Sequence, residues 1–223
     1  MTRPVLLFAA GKGTRMAPLT DRRPKPLIRV AGKPLLDHAC DFARAAGCSP
    51  IVVNIHYMAD MVRDHVAGRD ILISDESDRL RETGGGLRHA LPLLGDSPVV
   101  TMNTDAVWRG PNPVKMLLAA WRPEMEGLLL TVEKSNAAGH RGPGDFDQAP
   151  DGRLRRGRDV IYTGVQIIRT DRLAAMKDGV FSMNPVWDAM IADRSLHGAV
   201  YDGDWCDVGQ PDSIPLAEAL CDV

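Results

Sequence analysis

Residues 5–10, Val-Leu-Leu-Phe-Ala-Ala, run directly into GKGTRMAPLTDRRPKPL at residues 11–27. A short apolar run bounded by glycine reads as a buried strand. The loop behind it carries Lys12, Arg15, Arg22, Arg23 and Lys25. Gly11 and Gly13 let backbone N–H groups approach oxygen atoms closely, and the cations neutralise them, so the loop suits a polyphosphate. Two other phosphate loops are excluded. The dinucleotide fingerprint needs a third glycine where this chain has Met16, and the string G-x-x-x-x-G-K-S/T is absent.

Outward from this loop, apolar runs alternate with helical patterns. Strands are expected at 5–10, 51–56, 71–74, 98–103 and 127–133, with helices at 33–47, 58–67, 84–94 and 113–121. Leu35, Leu36, Ala39, Cys40, Ala43 and Ala46 fall on one face of the first helix, and Gly47 stops it. This rhythm predicts βαβ units around a mainly parallel sheet, with ligands bound at the strand C-termini. Beyond residue 134 the rhythm changes. Residues 135–152 read as a long loop, 160–169 as strand, 171–177 and 184–194 as helices, and 211–221 as a last helix. The basic run Arg153–Arg158 reads as a solvated turn between strands, and Asp75, Glu76 and Asp78 as a solvated acidic loop.

The 223 residues suffice for one sizeable core, and a net charge of −2 gives no global attraction to nucleic acid or membrane. No apolar stretch reaches the ~18 residues of a membrane span, so a cytoplasmic protein is expected. Cys40, Cys48, Cys206 and Cys221 form no C-x-x-C pair and read as reduced thiols. The histidines lack metal-ligand spacing.

Two further features point to chemistry. Glu82-Thr83-Gly84-Gly85-Gly86 opens a helix, where bare backbone and a helix N-terminus suit a flat or anionic ligand. Asp105 and Asp207 follow apolar runs, so both point toward a ligand crevice. Two such carboxylates with phosphate oxygens make a Mg²⁺ site.

The pattern Gly11, Gly13, Thr14, Arg15, Met16, Pro18, Leu19, Thr20 with Pro24-Lys25-Pro26 resembles the signature of the sugar-1-phosphate nucleotidyltransferases, G-x-G-T-R-L/M-x-P-L-T followed by P-K-P. The resemblance extends to Asn103-Thr104-Asp105 and to Trp205-Cys206-Asp207-Val208-Gly209. It implies a three-layer Rossmann-like α/β fold with a mainly parallel mixed sheet. The chain is then one domain over 1–223, with a nucleotide half (1–134) and a sugar and metal half (135–223). The implied reaction joins an NTP to a sugar 1-phosphate and releases pyrophosphate.

The implied site is specific. Ala10, Gly11, Lys12, Gly13 and Thr14, with Glu82, Thr83, Gly84, Gly85 and Gly86, hold the nucleotide. Arg15 and Lys25 meet the phosphates, and Asp105 and Asp207 hold Mg²⁺. Asn103, Gly144, Asp145, Thr163 and Gly164 border the sugar. The E-T-G-G-G form and the Gly-Asp-Phe at 144–146 are similar to those of the N-acetylmuramate-1-phosphate uridylyltransferase group, which favours UTP and a role in cell-wall sugar recycling. Gln210, where that group has Thr, and a longer loop at 135–145 depart from it. Mannose-1-phosphate guanylyltransferase is the main rival, ahead of glucose-1-phosphate thymidylyltransferase. A nucleotide-sugar-dependent glycosyltransferase or a non-catalytic nucleotide sensor is more remote. A monomer or small homo-oligomer is expected.

Overall fold

The computed structural model describes residues 2–95 and 97–221. In chain order the elements begin with β1 (Val5–Phe8), β2 (Arg29–Val30), β3 (Lys33–Pro34), α1 (Leu35–Ala45), β4 (Ile51–Ile55), α2 (Ala59–Val66) and β5 (Leu72–Asp75). Next come α3 (Glu82–Leu94), β6 (Val99–Asn103), β7 (Ala106–Arg109), α4 (Pro113–Ala120), β8 (Gly127–Glu133), β9 (Ala137–Ala138) and β10 (Phe146–Gln148). Last are β11 (Leu154–Arg156), β12 (Val160–Ile168), α5 (Asp171–Ala175), α6 (Asn184–Ala192), β13 (Leu196–Val200), β14 (Asp204–Asp207) and α7 (Ser213–Cys221).

Strands β6, β1, β4 and β5 pair in parallel, in that spatial order. The chain leaves β1 toward β4 and β5, then returns to its other side as β6. This places a topological switch point between the C-terminal ends of β1 and β6, where open α/β sheets bind ligands. On the far side of β6, β12 runs antiparallel to β6, β8 antiparallel to β12, and β13 parallel to β8. Strands from both halves of the chain thus share one sheet.

Alternation along β1 shows the three layers. Val5 and Leu7 pack with α1, α2 and α4 residues such as Leu36, Val62 and Leu117, all at 0 % exposure. Leu6 turns to the opposite face and packs with Leu87 of α3, Leu173 of α5 and Met190 of α6. A third cluster joins Met16 of the phosphate loop to Val107, Cys206, Val208 and Ala217. Met16 therefore anchors the basic loop to the elements that carry Asp207.

Several expectations need correction. A strand at 106–109 follows Asp105 and pairs antiparallel with β14, Asp207 facing Ala106. Residues 135–152 are not one long loop, since β9 pairs with β14 and β10 pairs with β11 and β12. The basic run at 153–158 includes strand β11. The Arg156 guanidinium lies 5.0 Å from the Phe146 ring centre and 5.7 Å from that of Trp187, and it bonds Asp188. It is a stacked side chain rather than a freely solvated one. The first helix starts at Leu35, because residues 33–34 pair with β2.

Candidate active site

A cleft of about 470 Å³ opens at the switch point, within the usual range for a small-molecule site. Its walls include Ala10, Gly11, Gly13, Thr14, Arg15, Lys25, Glu82, Thr83, Asn103 and Asp105. Ten of the residues expected at the site therefore come together from four separate segments. Phe8, Ala9, Pro26, Asn54, Leu80, Thr104, Ser182 and Gly209, none of them expected among the site residues, also line it.

The phosphate loop is held by local constraints. Gly13 sits in the left-handed region at φ 62°, and a Cβ there would lie 2.8 Å from Lys25 Cβ and 3.1 Å from Thr20 Cγ2. Glycine is required both by the backbone angle and by the approach of Lys25. Thr20 Oγ1 donates to the Gly13 carbonyl at 3.1 Å, and the Tyr57 hydroxyl donates to the Thr20 carbonyl at 2.9 Å. Pro24 and Pro26 flank Lys25, which opens a short 3₁₀ turn. Lys25 is nearly buried, and its Nζ donates to Asp105 Oδ2 at 2.9 Å. Arg15 lines the cleft, whereas Lys12 is exposed and does not.

Asp105 and Asp207 are brought side by side by backbone pairing. Val208 N–H donates to the Asp105 carbonyl at 2.8 Å. The Asp207 carboxylate folds over Gly209, where a Cβ would lie 3.0 Å from Oδ2. Burial, and then the Asp105 carboxylate, hold the Asp207 acid above its ordinary pKa; Lys25 and Arg15 pull the other way. Asp105, Lys25 and Arg15 line the cleft; Asp207 does not, yet it feels the charge of all three. The neighbouring Cys206 thiol is buried and pushed up to about 11, so it offers no thiolate at neutral pH.

The expected sugar residues divide. Asn103 lines the cleft and stands on Gly164, where a Cβ would meet its carboxamide carbon at 2.8 Å. A register shift in the pairing of β12 with β8 between Tyr162 and Gln166 makes that approach possible. Thr163 turns its hydroxyl away and donates to the Leu130 carbonyl at 2.7 Å. Gly144 packs on the Arg158 backbone, and Asp145 Oδ2 accepts from Tyr162 N–H at 2.8 Å. Neither Gly144 nor Asp145 lines the cleft.

The glycine run at 84–86 packs closely against the protein's own atoms. A Cβ on Gly84 would lie 2.6 Å from the Phe181 ring, one on Gly85 2.3 Å from the Gly179 carbonyl, and one on Gly86 2.7 Å from Glu76 Oε1. The protein's own atoms fill the space that these glycines leave free. Gly85 N–H donates to the Phe181 carbonyl at 2.9 Å, and Met183 N–H to Thr83 Oγ1 at 3.0 Å. The run docks segment 179–183, which brings Ser182 to the cleft.

Glu76 is likewise not solvated, having 0 % exposure. It accepts from Asn54 Nδ2 at 2.7 Å and from Arg81 N–H at 3.1 Å. The sequence did carry one signal for this: Asn54 is a polar residue inside the otherwise apolar strand 51–55, and a buried amide needs partners.

The MobA-like NTP transferase domain family matches residues 5–199. The N-acetylmuramate alpha-1-phosphate uridylyltransferase of Caulobacter vibrioides is 40 % identical, over 96 % of this chain and 95 % of its own length. That of Neisseria meningitidis is 34 % identical over 96 % of both. The mannose-1-phosphate guanyltransferase of Hypocrea jecorina is 29 % identical, over 92 % of this chain and 60 % of its own. Among solved structures, HddC from Yersinia pseudotuberculosis complexed with GMP-PN superposes with a TM-score of 0.76 at 20 % identity, covering 98 % and 99 % of the two chains. These matches and the cleft agree: the chain belongs to the MobA-like NTP transferase family, among the sugar-1-phosphate nucleotidyltransferases.

Proposed function

We propose that the chain transfers a uridylyl group from UTP to N-acetylmuramate 1-phosphate, giving UDP-N-acetylmuramate and pyrophosphate. The placement of Lys25 Nζ, 2.9 Å from Asp105 in the wall of the cleft, carries the reaction type. The 40 % identity to the Caulobacter uridylyltransferase over 96 % of the chain supports the substrate pair. A role in recycling cell-wall sugars in the cytoplasm belongs to the same proposal. Among the described residues no helix is long and apolar enough to cross a membrane.

The chemistry asks little of a general base. A sugar phosphate has a second pKa near 6 and is mostly dianionic at neutral pH. One of its oxygens attacks the α-phosphorus while the bond to the β-phosphate oxygen breaks and pyrophosphate leaves. Two anions must meet, so positioning and fixed positive charge supply most of the catalysis.

In this reading Gly11 and Gly13 offer backbone N–H groups, with Ala10, Lys12 and Thr14 completing the loop around the triphosphate. Arg15 neutralises the departing β- and γ-phosphates. Lys25 bridges the α-phosphate and the sugar phosphate, leaving its ion pair with Asp105 when the anions arrive. Asn103 faces the sugar. Residues 1–134 supply the nucleotide side and 135–223 the sugar side and second acid.

Asp105 and Asp207 would hold a divalent cation. Both donors are carboxylate oxygens, and the pKa of Asp207, raised by burial and then by Asp105, marks an acid that a counterion would relieve. Mg²⁺ suits such an oxygen-only pair, since it takes one or two carboxylates and fills its shell with water and phosphate. When bound it would stabilise charge on the α-phosphoryl and leaving oxygens.

A matrix of the four NTPs against several sugar 1-phosphates, read by pyrophosphate release, tests the proposal. Turnover should peak with UTP and N-acetylmuramate 1-phosphate. Turnover with GTP and mannose 1-phosphate, and none with the uridylyl pair, would replace it with the guanylyltransferase reading.

A further inference from the structure

Strand β1 ends at Phe8, where the chain leaves the sheet for the phosphate loop. The next backbone donor, Ala9 N–H, has lost its strand partners and is buried; such a group must find an acceptor. It donates to Asn54 Oδ1 at 2.7 Å. The other end of that amide, Nδ2, donates to Glu76 Oε1 at 2.7 Å. The second carboxylate oxygen, Oε2, accepts from Arg81 N–H at 3.1 Å, one residue before Glu82 and Thr83 of the cleft wall. Asn54 is 2 % exposed and Glu76 0 %.

We infer that Glu76 is a positioning residue for the nucleotide side of the cleft. It sets the start of the phosphate loop through Asn54 and the start of α3 through Arg81. This rests on the reading of the cleft as a nucleotide site, but not on which nucleotide or sugar it takes. Three observations converge on it. A buried carboxylate is costly unless donors satisfy it, and here each oxygen has one. Both donors belong to segments that line the cleft, the end of β4 and the start of α3. The third glycine of the 84–86 run leaves room for this group alone: a Cβ on Gly86 would lie 2.7 Å from Glu76 Oε1 and 3.1 Å from Asn54 Nδ2. The carboxylate itself does not line the cleft, so it acts through the backbone it holds.

An amide cannot replace this carboxylate. Glu76→Gln puts an NH₂ group opposite either Asn54 Nδ2 or Arg81 N–H, donor against donor. Steady-state pyrophosphate release by the whole chain provides the test. Glu76→Gln should raise KM for the NTP about tenfold, the scale of one lost charge-assisted bond, and leave KM for the sugar phosphate within about twofold. Gly86→Ala, which displaces the carboxylate without removing it, should give the same split. Leu173→Val, a core change in α5 outside this chain of bonds, should lower Tm and move neither KM.

Equal rises in both KM values, or a lowered Tm with an unchanged KM for the NTP, would overturn the inference. If Glu76→Gln does not fold, Gly86→Ala carries the test. If the wild type releases pyrophosphate with no substrate pair, the proposed function fails. The inference is then decided by calorimetry with each NTP and Mg²⁺, where Glu76→Gln must bind about tenfold more weakly than wild type or the inference falls.

Discussion

Replacing Gly13 by Ala tests the architecture of the phosphate loop at one atom. The residue has φ 62°, and the added Cβ would lie 2.8 Å from Lys25 Cβ. Two costs follow. Holding a residue with a Cβ in the left-handed region costs about 1–2 kcal/mol. Lys25 Cβ must also retreat from 2.8 Å toward the 3.4 Å at which ordinary contact begins. That shift passes along the side chain to Nζ, now 2.9 Å from Asp105. A misplacement approaching 1 Å at a reacting centre costs about 10²-fold, or ~2.7 kcal/mol of transition-state stabilisation. Gly13→Ala should therefore lower kcat/KM about 10²-fold and unfolding free energy by about 1–2 kcal/mol. Pyrophosphate release and urea denaturation measure the two. Gly11→Ala is the matched comparison, since a Cβ added there would meet nothing within 4 Å and its φ is not positive. It should keep its stability within about 0.5 kcal/mol and lose activity only through contact with the phosphates. A Gly13→Ala enzyme with the expected stability loss but more than a third of wild-type kcat/KM would refute the reasoning.

Further outcomes follow from the same geometry. Lys25→Met should cost about 10²–10³ in kcat under saturating substrates; near wild-type turnover would remove Lys25 from the reaction. Asp207→Asn should abolish turnover and yet, with EDTA present, melt at a higher temperature than wild type at pH 7. The folded state holds the Asp207 proton more tightly than the unfolded chain does, so this group's stabilisation is present below 3.8 and lost as pH rises through the folded pKa. The Tm difference should close as pH falls toward 3.8, and Mg²⁺ with NTP should raise Tm in wild type alone. Gly84→Ala drives a Cβ to 2.6 Å from the Phe181 ring and the Ser182 carbonyl. It should cost about 1–3 kcal/mol by overpacking, seen in denaturation.

Much of the nucleotide side was legible because its signals are local. The run Val5–Phe8, the glycines at 11 and 13, and the helix opening at Glu82 each announce themselves within a few residues. The site's second acid was legible only as a motif. Its partner strand at 106–109 was missed, since Val107-Trp108 gives too short an apolar pattern to separate from the strand before it. The hairpin of β10 and β11 was hidden for a related reason: its residues are charged and turn-rich, and only Phe146 and Leu154 face inward. Glu76 misled because Asp75, Ser77 and Asp78 around it are polar. Its burial is set by Asn54 and Arg81, neither adjacent to it in the chain. The packing of segment 179–183 on the glycines at 84–86 was not legible either, since a gap in side chains says nothing about what fills it.

On the proposed reading, the pairing of β14 with β7 also sets when turnover can arise during synthesis. A growing chain emerges N-terminus first, so the loop at 11–27, Lys25 and Asp105 are all available early. Asp207 is set against Ala106 only after residues 204–207 have emerged and crossed to the small sheet. The family match itself ends at residue 199, short of that strand. On the proposed reading, nascent chains of such length carry the basic loop and Asp105 but lack Asp207, so turnover should wait for β14.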